Sequence, residues 1–137
     1  MSIVYTGITL KNAGDVINVG RGLAQEKDVR SIAVNALVDT GAETLVINEA
    51  VREALGLQIE DSRNATLADG SEQTYAVTEP VKIHWENRKT CCPAIVIPDA
   101  DEVLLGAIPM EDMDLIVHPR KREVTGAHGS KVVCLIK

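Results

Sequence analysis

The strongest constraint on the fold of this chain is one carboxylate at the end of an apolar strand. The run Ala36–Ala42 reads Ala-Leu-Val-Asp-Thr-Gly-Ala, so Asp39 directly follows a stretch of small and branched residues. The segment 32–38 can form a strand buried on both faces, which would hold Asp39 on a rigid element. The Thr40 hydroxyl can bond to neighbouring backbone, and Gly41 permits angles closed to other residues. The pattern predicts a tight turn that aims backbone N–H groups at the carboxylate.

A second apolar element ends in glycine after a long interval. It consists of Val103, Leu104, Leu105 and Gly106, and we expect it to brace the Asp39 turn. Hydrolysis of a peptide bond by an unactivated water needs two carboxyl groups, one accepting a proton from the water and one donating a proton to the carbonyl oxygen. The sequence Asp-Thr-Gly occurs once in the chain. The second aspartate would therefore come from another copy of the chain, across a twofold axis.

The segment from Asp39 to Ile47, Asp-Thr-Gly-Ala-Glu-Thr-Leu-Val-Ile, resembles the catalytic loop of the retropepsin-like aspartic peptidases. The segment 103–106 is similar to the second apolar-Gly element of that family, and the spacing is closer to the small bacterial members than to the viral ones. The resemblance implies an all-β, mostly antiparallel fold, a retropepsin-like closed β-barrel with one or two short helices. It further implies a single domain over residues 1–137 with its catalytic loop at 36–47.

The resemblance also implies roles for individual residues. Asp39 from each of two subunits would activate the water, Thr40 would join a hydrogen-bonded grip across the dimer, and Gly41 and Ala42 would support the loop. A flap hairpin at about 64–78 would close over the substrate. Its tip and the substrate-binding residues would be Leu67, Ala68, Asp69 and Gly70.

The function implied is an aspartic endopeptidase whose partners are a second copy and a peptide or protein substrate. The alternative is a catalytically silent peptide- or protein-binding module that keeps the fold and stays monomeric. A dyad of Asp39 with one of the acids at 111, 112 and 114 is a further alternative. Apolar subsites for substrate side chains are expected from Val46, Ile47, Leu67 and Ile108.

The chain departs from the viral pattern at two places. In the viral proteins an arginine follows the second glycine and pairs with an acid near the catalytic loop, whereas here Gly106 precedes Ala-Ile-Pro at 107–109. The chain also continues to Lys131–Lys137, an apolar stretch predicted to be a strand. This strand would form an intersubunit sheet with Ile3–Leu10, or else complete the sheet of the monomer.

Turn signals and periodicity predict the remaining elements. The chain segments 3–10, 15–19 and 30–38 are expected to be strands, and 20–29 a loop. A helix is predicted at 48–56, capped by Asn48 and ended by Gly56. The later predictions are hairpins turning at 69–70 and 86–88, a short helix at 108–114, and strands at 115–117 and 123–124 that close the barrel.

Composition and charge exclude several other functions. A net charge of -6 and a pI near 5.0 oppose a nucleic-acid partner, and the basic run 118–122 is interpreted as a solvated turn. No segment approaches the apolar length of a membrane helix, so a soluble cytoplasmic protein without a membrane partner is expected. The three cysteines are interpreted as reduced thiols, with Cys91 and Cys92 on opposite faces of a strand. No metal or cofactor is expected, because the three histidines are scattered.

Overall fold

The computed structural model describes residues 3–136 and consists mostly of short strands. The strands are Tyr5–Asn12 (β1), Ser31–Val38 (β2), Leu45–Ile47 (β3), Ile59–Thr66 (β4), Glu72–Thr78 (β5), Val81–Trp85 (β6), Arg88–Cys92 (β7), Ala94–Val96 (β8), Leu104–Leu105 (β9), Leu115–His118 (β10) and Glu123–Gly126 (β11). The helices are Ala13–Gly20 (α1), Glu49–Leu55 (α2) and Ala107–Asp112 (α3), and Glu26–Asp28 forms a 3-10 turn.

Nine of the strands form one sheet in the order β4-β5-β8-β3-β9-β2-β1-β6-β7. The pairs β2–β9 and β3–β8 are parallel, and the other pairs are antiparallel, as predicted. The predicted closure into a barrel is not confirmed, because the nine-stranded sheet of the described chain is open and β10 and β11 pair with each other as a separate two-stranded sheet. The chain before β10 meets the edge strand β7 through the side chain of Arg88, which takes the place of a backbone ladder.

Three α-helices are present where one or two were predicted, and the additional helix is α1. The segment 15–19 was predicted to be a strand, and that prediction is wrong. Asn12 explains the difference, because its side chain accepts a hydrogen bond from the Asp15 N–H at 3.1 Å and caps the helix. The same side chain donates to the Leu55 carbonyl oxygen at 2.9 Å, a contact with a distant part of the sequence.

The helix predicted at 48–56 is confirmed as α2. Asn48 accepts a hydrogen bond from the Val51 N–H at 2.9 Å, and Gly56 ends the helix with a left-handed φ of 61°. The apolar side of α2 packs into one hydrophobic core with β1, β3 and β6. Its fully buried members include Leu10, Leu45, Ile47, Leu55, Leu57, Ile83, Leu105 and Met113.

Two predictions about burial and chain ends are wrong. The segment 32–38 is not buried on both faces, because Ala33 and Asn35 on its outer side are exposed and no layer of the described chain covers them. The strand predicted at 131–137 is not formed over the described residues 132–136, which therefore do not complete the monomer's sheet; Lys137 lies outside the described residues. Residues 132–136 have no regular secondary structure, and Leu135 and Ile136 are about nine-tenths exposed, at 91% and 89%.

Candidate active site

The Asp39 turn has the hydrogen-bond pattern expected from its sequence. The Gly41 N–H donates to Asp39 Oδ1 at 2.9 Å, and the Ala42 N–H donates to the Asp39 carbonyl oxygen at 3.1 Å. Among residues 3–136, no hydrogen bond occupies Oδ2 of this carboxylate. Asp39 is half-buried, while Thr40 and Gly41 are exposed. The turn therefore fixes the orientation of one carboxylate oxygen and leaves the other at the surface.

The short strand β9 holds this turn from the rear. It lies between β2 and β3, parallel to the first with Val38 opposite Leu105, and antiparallel to the second with Leu45 opposite Leu105. The Asp39 N–H extends the ladder and donates to the Leu105 carbonyl oxygen at 3.0 Å. Leu105 itself is fully buried. The predicted bracing of the Asp39 turn by the second apolar element is thus present in the backbone.

Gly106 lies directly against the turn. A Cβ atom at this position would stand 2.3 Å from the Thr44 carbonyl oxygen and 2.7 Å from that of Ala42. Only glycine permits this distance between two backbone segments. Beyond it, the Ala107 N–H donates to the Ala42 carbonyl oxygen at 2.8 Å, and the Ile108 N–H donates to that of Glu43 at 2.9 Å. The start of α3 and the loop after Asp39 therefore form one unit.

The chain around Asp69 and Gly70 forms the tip of a hairpin between β4 and β5. The Ser71 N–H donates to Asp69 Oδ1 at 2.9 Å, and the Ser71 hydroxyl donates to the same atom at 2.5 Å. The Ser71 hydroxyl bond is the main reason that the pKa of Asp69 lies below its ordinary value. Nearly all of β4 is exposed, so this arm extends from the core. Leu67 is half-buried and Ala68 is exposed at the same tip.

Arg88 provides a brace that the sequence analysis missed. This residue is 3% exposed and donates to the carbonyl oxygens of Met113 at 3.1 Å and Asp114 at 2.5 Å, at the end of α3. It also donates to the carbonyl oxygens of Gly129 and, at 3.1 Å, Lys131. No arginine follows Gly106, the glycine of the second apolar element. Instead, Arg88 on β7 donates hydrogen bonds from its guanidinium to the carbonyl groups at the end of α3. Its position on a predicted hairpin strand gave no sign of this role.

Two of the four residues expected to line apolar subsites are accessible in the structure, and two are not. Val46 and Ile47 are buried in the core, at 6% and 0% exposure, so they cannot contact a substrate. This expectation was wrong because β3 is covered by neighbours on both sides. Ile108 is 56% exposed beside the Asp39 loop, and Leu67 is half-buried at the hairpin tip.

The alternative dyad with a downstream acid has no support in the hydrogen bonds. Asp112 accepts from the Thr90 hydroxyl at 2.5 Å, and Asp114 contacts His128 Nδ1 at 2.7 Å. The His128 contact is the main cause of the lowered pKa of Asp114. A cavity of about 600 Å³ lies between α2 and the base of the hairpin, and the residues lining it do not include Asp39.

Three further features of the described residues concern metal ligands, long apolar helices and the cysteines. Within residues 3–136, no three metal-ligating side chains form a cluster that could hold an ion. In the same range, no helix is both long and apolar enough to cross a membrane. Cys91 is exposed and Cys92 is buried, which confirms that they point to opposite faces of β7. Burial is the main cause of the raised pKa of each of these two thiols.

The fold is similar to those of solved structures. The structure is similar to the retroviral protease-like domain of Ddi1 from Leishmania major, at 14% identity, with 91% of this chain and 88% of that chain covered and a TM-score of 0.56. It is also similar to a retropepsin-like aspartic protease from Rickettsia conorii, at 15% identity, with 85% and 83% covered and a TM-score of 0.52. No curated protein matches the chain.

A family model gives the assignment from sequence. The model described as gag-polyprotein putative aspartyl protease matches residues 28–112, which include the Asp39 turn, the hairpin and β9. These are the elements whose contacts define the site described above. The chain therefore belongs to the gag-polyprotein putative aspartyl protease family and has a retropepsin-like fold.

Proposed function

We propose that this protein is an aspartic endopeptidase that acts as a homodimer, with Asp39 of each subunit forming the catalytic pair. The observation that carries the proposal is the Asp39 turn, in which one carboxylate oxygen is fixed by the Gly41 N–H and the other is free. The turn holds the carboxylate on a rigid support and leaves one oxygen free to accept a proton. Preorganised groups of this kind are typical of catalytic sites.

In this proposal the two carboxyl groups share one proton. Like charges at contact distance cannot both ionise, so one Asp39 is ionised and the Asp39 of the second copy is protonated. The ionised group accepts a proton from water as the water oxygen attacks the peptide carbonyl carbon. The protonated group donates its proton to the carbonyl oxygen, which gives a tetrahedral diol intermediate. The carboxyl group that took the proton from water then protonates the amide nitrogen as the C–N bond breaks. The other carboxylate takes a proton from one hydroxyl of the intermediate, so the carboxylic acid and the amine leave and the pair again shares one proton.

The surroundings of Asp39 support assembly of two copies at this point. Thr40 and Gly41 are exposed, so a second copy can reach them, and a Thr40 hydroxyl can exchange hydrogen bonds with the backbone of its counterpart. The exposed apolar residues 132–136 are a second surface that a dimer would bury, as an intersubunit strand with the start of β1. Within residues 3–136, the Val133 N–H donates to Asp114 Oδ2 at 3.0 Å, whereas the side chains of Leu135 and Ile136 beyond it are about nine-tenths exposed.

The hairpin between β4 and β5 would close over the substrate. Its exposed arms can hydrogen-bond the backbone of an extended peptide, and side chains such as Ile108 and Leu67 would then contact apolar substrate residues. Asp69 does not take part in the chemistry, because its carboxylate is engaged by Ser71. Its role is to hold the shape of the tip.

The test is hydrolysis of a mixed peptide library at mildly acidic to neutral pH, with the solution mass of each protein recorded. We expect cleavage by a species of dimer mass and none by Asp39→Asn of the same mass. Asp101→Asn is the control, because it removes an exposed carboxylate outside the proposed catalytic turn and the hairpin. A monomer that cleaves no member of the library would instead support a peptide-binding module.

A further inference from the structure

The outer face of the sheet carries three lysines and one histidine on three neighbouring strands. Lys11 on β1 stands directly opposite Lys82 on β6, and His84 on β6 stands opposite Lys89 on β7. Cross-strand partners point to the same side of a sheet, and their neighbours Leu10 and Ile83 point inward, fully buried. We call the four outward residues the basic face.

The basic face has no compensating acids in ion pairs. The ion pairs of residues 3–136 are Arg30–Asp15, Arg52–Glu49 and His128–Asp114, and none includes a member of the basic face. Like charges directly opposite each other destabilise a sheet. This local excess of positive charge is also opposite in sign to the net charge of -6 of the whole chain. The cations are therefore concentrated on one face at a cost to the isolated fold.

The side chain of His84 reports the positive field of this face. Burial is the largest cause of its lowered pKa, and Lys11, Lys82 and Lys89 lower the pKa further. A positive charge in this place is thus unfavourable until an anion approaches. The three lysines therefore lie close enough to one another to act on the same side chain.

A groove of about 400 Å³ adjoins the basic face. It is lined by Gly7, Ile8, Thr9, Ala33, Val34, Asn35, His84 and Glu86. The small residues Gly7 and Ala33 leave the depression open, and a Cβ atom at Gly7 would meet nothing within 4 Å. Glu86 is the acidic residue of the lining. Along the chain it follows His84, whereas Lys82 precedes His84. The groove is wide and shallow, which suits an extended polypeptide.

We propose that the basic face and its groove bind an acidic segment of the polypeptide substrate, remote from the bond that is cleaved. This inference rests on the proposed peptidase function. β2 leads from Ala33 in the groove to Asp39, six residues further on, which is about 20 Å at about 3.3 Å per residue. An acidic segment several residues from the scissile bond would span this distance. Carboxylates match the face better than a nucleic acid, because the chain as a whole repels a polyphosphate and the face presents only three lysines.

Binding is measured separately from cleavage, on the Asp39→Asn protein. The probe is a fluorescein-labelled peptide of alternating Glu and Ala, with a Gln and Ala peptide as the neutral reference. Replacing Lys11, Lys82 and Lys89 by Gln should raise the Kd for the acidic peptide by about tenfold, the sum of three exposed pairs. Replacing Lys27, Arg120 and Lys121 by Gln is the matched control, because these exposed residues carry the same charge elsewhere. The control should change the Kd by less than about twofold.

Three results would overturn the inference. These are equal losses in the two triple variants, no preference for the acidic over the neutral peptide, and tighter binding of a single-stranded RNA of equal charge.

Cleavage then tests the link to function. An acidic extension on a cleaved peptide should raise kcat/KM in the wild type but not in the basic-face variant, with equal rates on the unextended peptide. If the unextended peptide is cleaved and the extension has no effect, the anchor is refuted while the peptidase function stands. If nothing is cleaved but the acidic peptide binds the basic face, the peptidase function is refuted.

Discussion

The backbone N–H of Asp39 donates a hydrogen bond to the carbonyl oxygen of Leu105 across 3.0 Å, and so ties the proposed catalytic turn to the fully buried residue of a two-residue strand. A mobile loop could not hold a carboxylate in one orientation without such an anchor. The anchor is formed by residues that are far from Asp39 in the sequence, so its geometry depends on the packing of the whole sheet. Several consequences can be measured.

The contact of Gly106 with the Asp39 loop predicts a large cost for any side chain there. Gly106→Ala places a Cβ atom 2.3 Å from the Thr44 carbonyl oxygen, which is backbone and cannot rotate away. We expect a loss of about 2 kcal/mol or more in the free energy of unfolding, measured by urea denaturation. Gly20→Ala is the control, because its Cβ would meet nothing within 4 Å. Equal stability of the two variants would contradict the described packing.

We predict that the hydrogen-bonding geometry of the buried Arg88 guanidinium, and not its charge, stabilises the end of α3. Arg88→Lys keeps the charge but cannot reach the carbonyl oxygens of Met113, Asp114 and Lys131 together. We expect a loss of about 2 kcal/mol in urea denaturation, because buried acceptors lose their donors. Arg21→Lys, on an exposed arginine, should change stability by less than about 0.5 kcal/mol. A neutral Arg88→Lys would refute the brace.

The ion pair of Asp15 with Arg30 predicts a defined pH dependence of stability. Both side-chain contacts are 2.9 Å, and the Arg30 side chain is the main reason that the pKa of Asp15 lies below its ordinary 3.8. A lowered pKa means that the stabilisation is present above about pH 4 and is lost as the pH falls through the folded-state value. Asp15→Asn should therefore be less stable than Asp101→Asn near neutral pH. This difference should shrink in acid, and a difference that persists into strong acid would contradict the assignment.

The left-handed backbone conformation of Gly70 allows a test of whether the hairpin tip acts as a flap. Gly70 has a φ of 84° in open space, so Gly70→Ala adds strain of about 1 kcal/mol without a clash. If the hairpin closes over substrate, kcat/KM for a cleaved peptide should fall by about fivefold. Gly22→Ala is matched, because Gly22 has a φ of 73° and equally open surroundings away from the hairpin. Equal kcat/KM in the two variants would show that the tip does not act as a flap.

The sequence predicts those elements whose signals are local. Asn48 and Gly56 mark the two ends of α2, and Asp69-Gly70 marks the hairpin, because caps and turns depend on a few adjacent residues. α1 was missed because its cap, Asn12, is fixed by a contact with Leu55, which is distant in the sequence. Arg88 was missed for a similar reason. Its partners are backbone carbonyl groups, which leave no trace in a sequence.

The sharing of one site between two copies is tested most directly by mixing subunits. Wild type and Asp39→Asn are unfolded together in varied proportions, refolded at constant total concentration, and assayed on a cleaved peptide. If each site needs an Asp39 from both copies, activity should follow the square of the wild-type fraction, because mixed dimers are inactive. Activity proportional to the wild-type fraction would show that one chain carries a complete site and would contradict the shared pair.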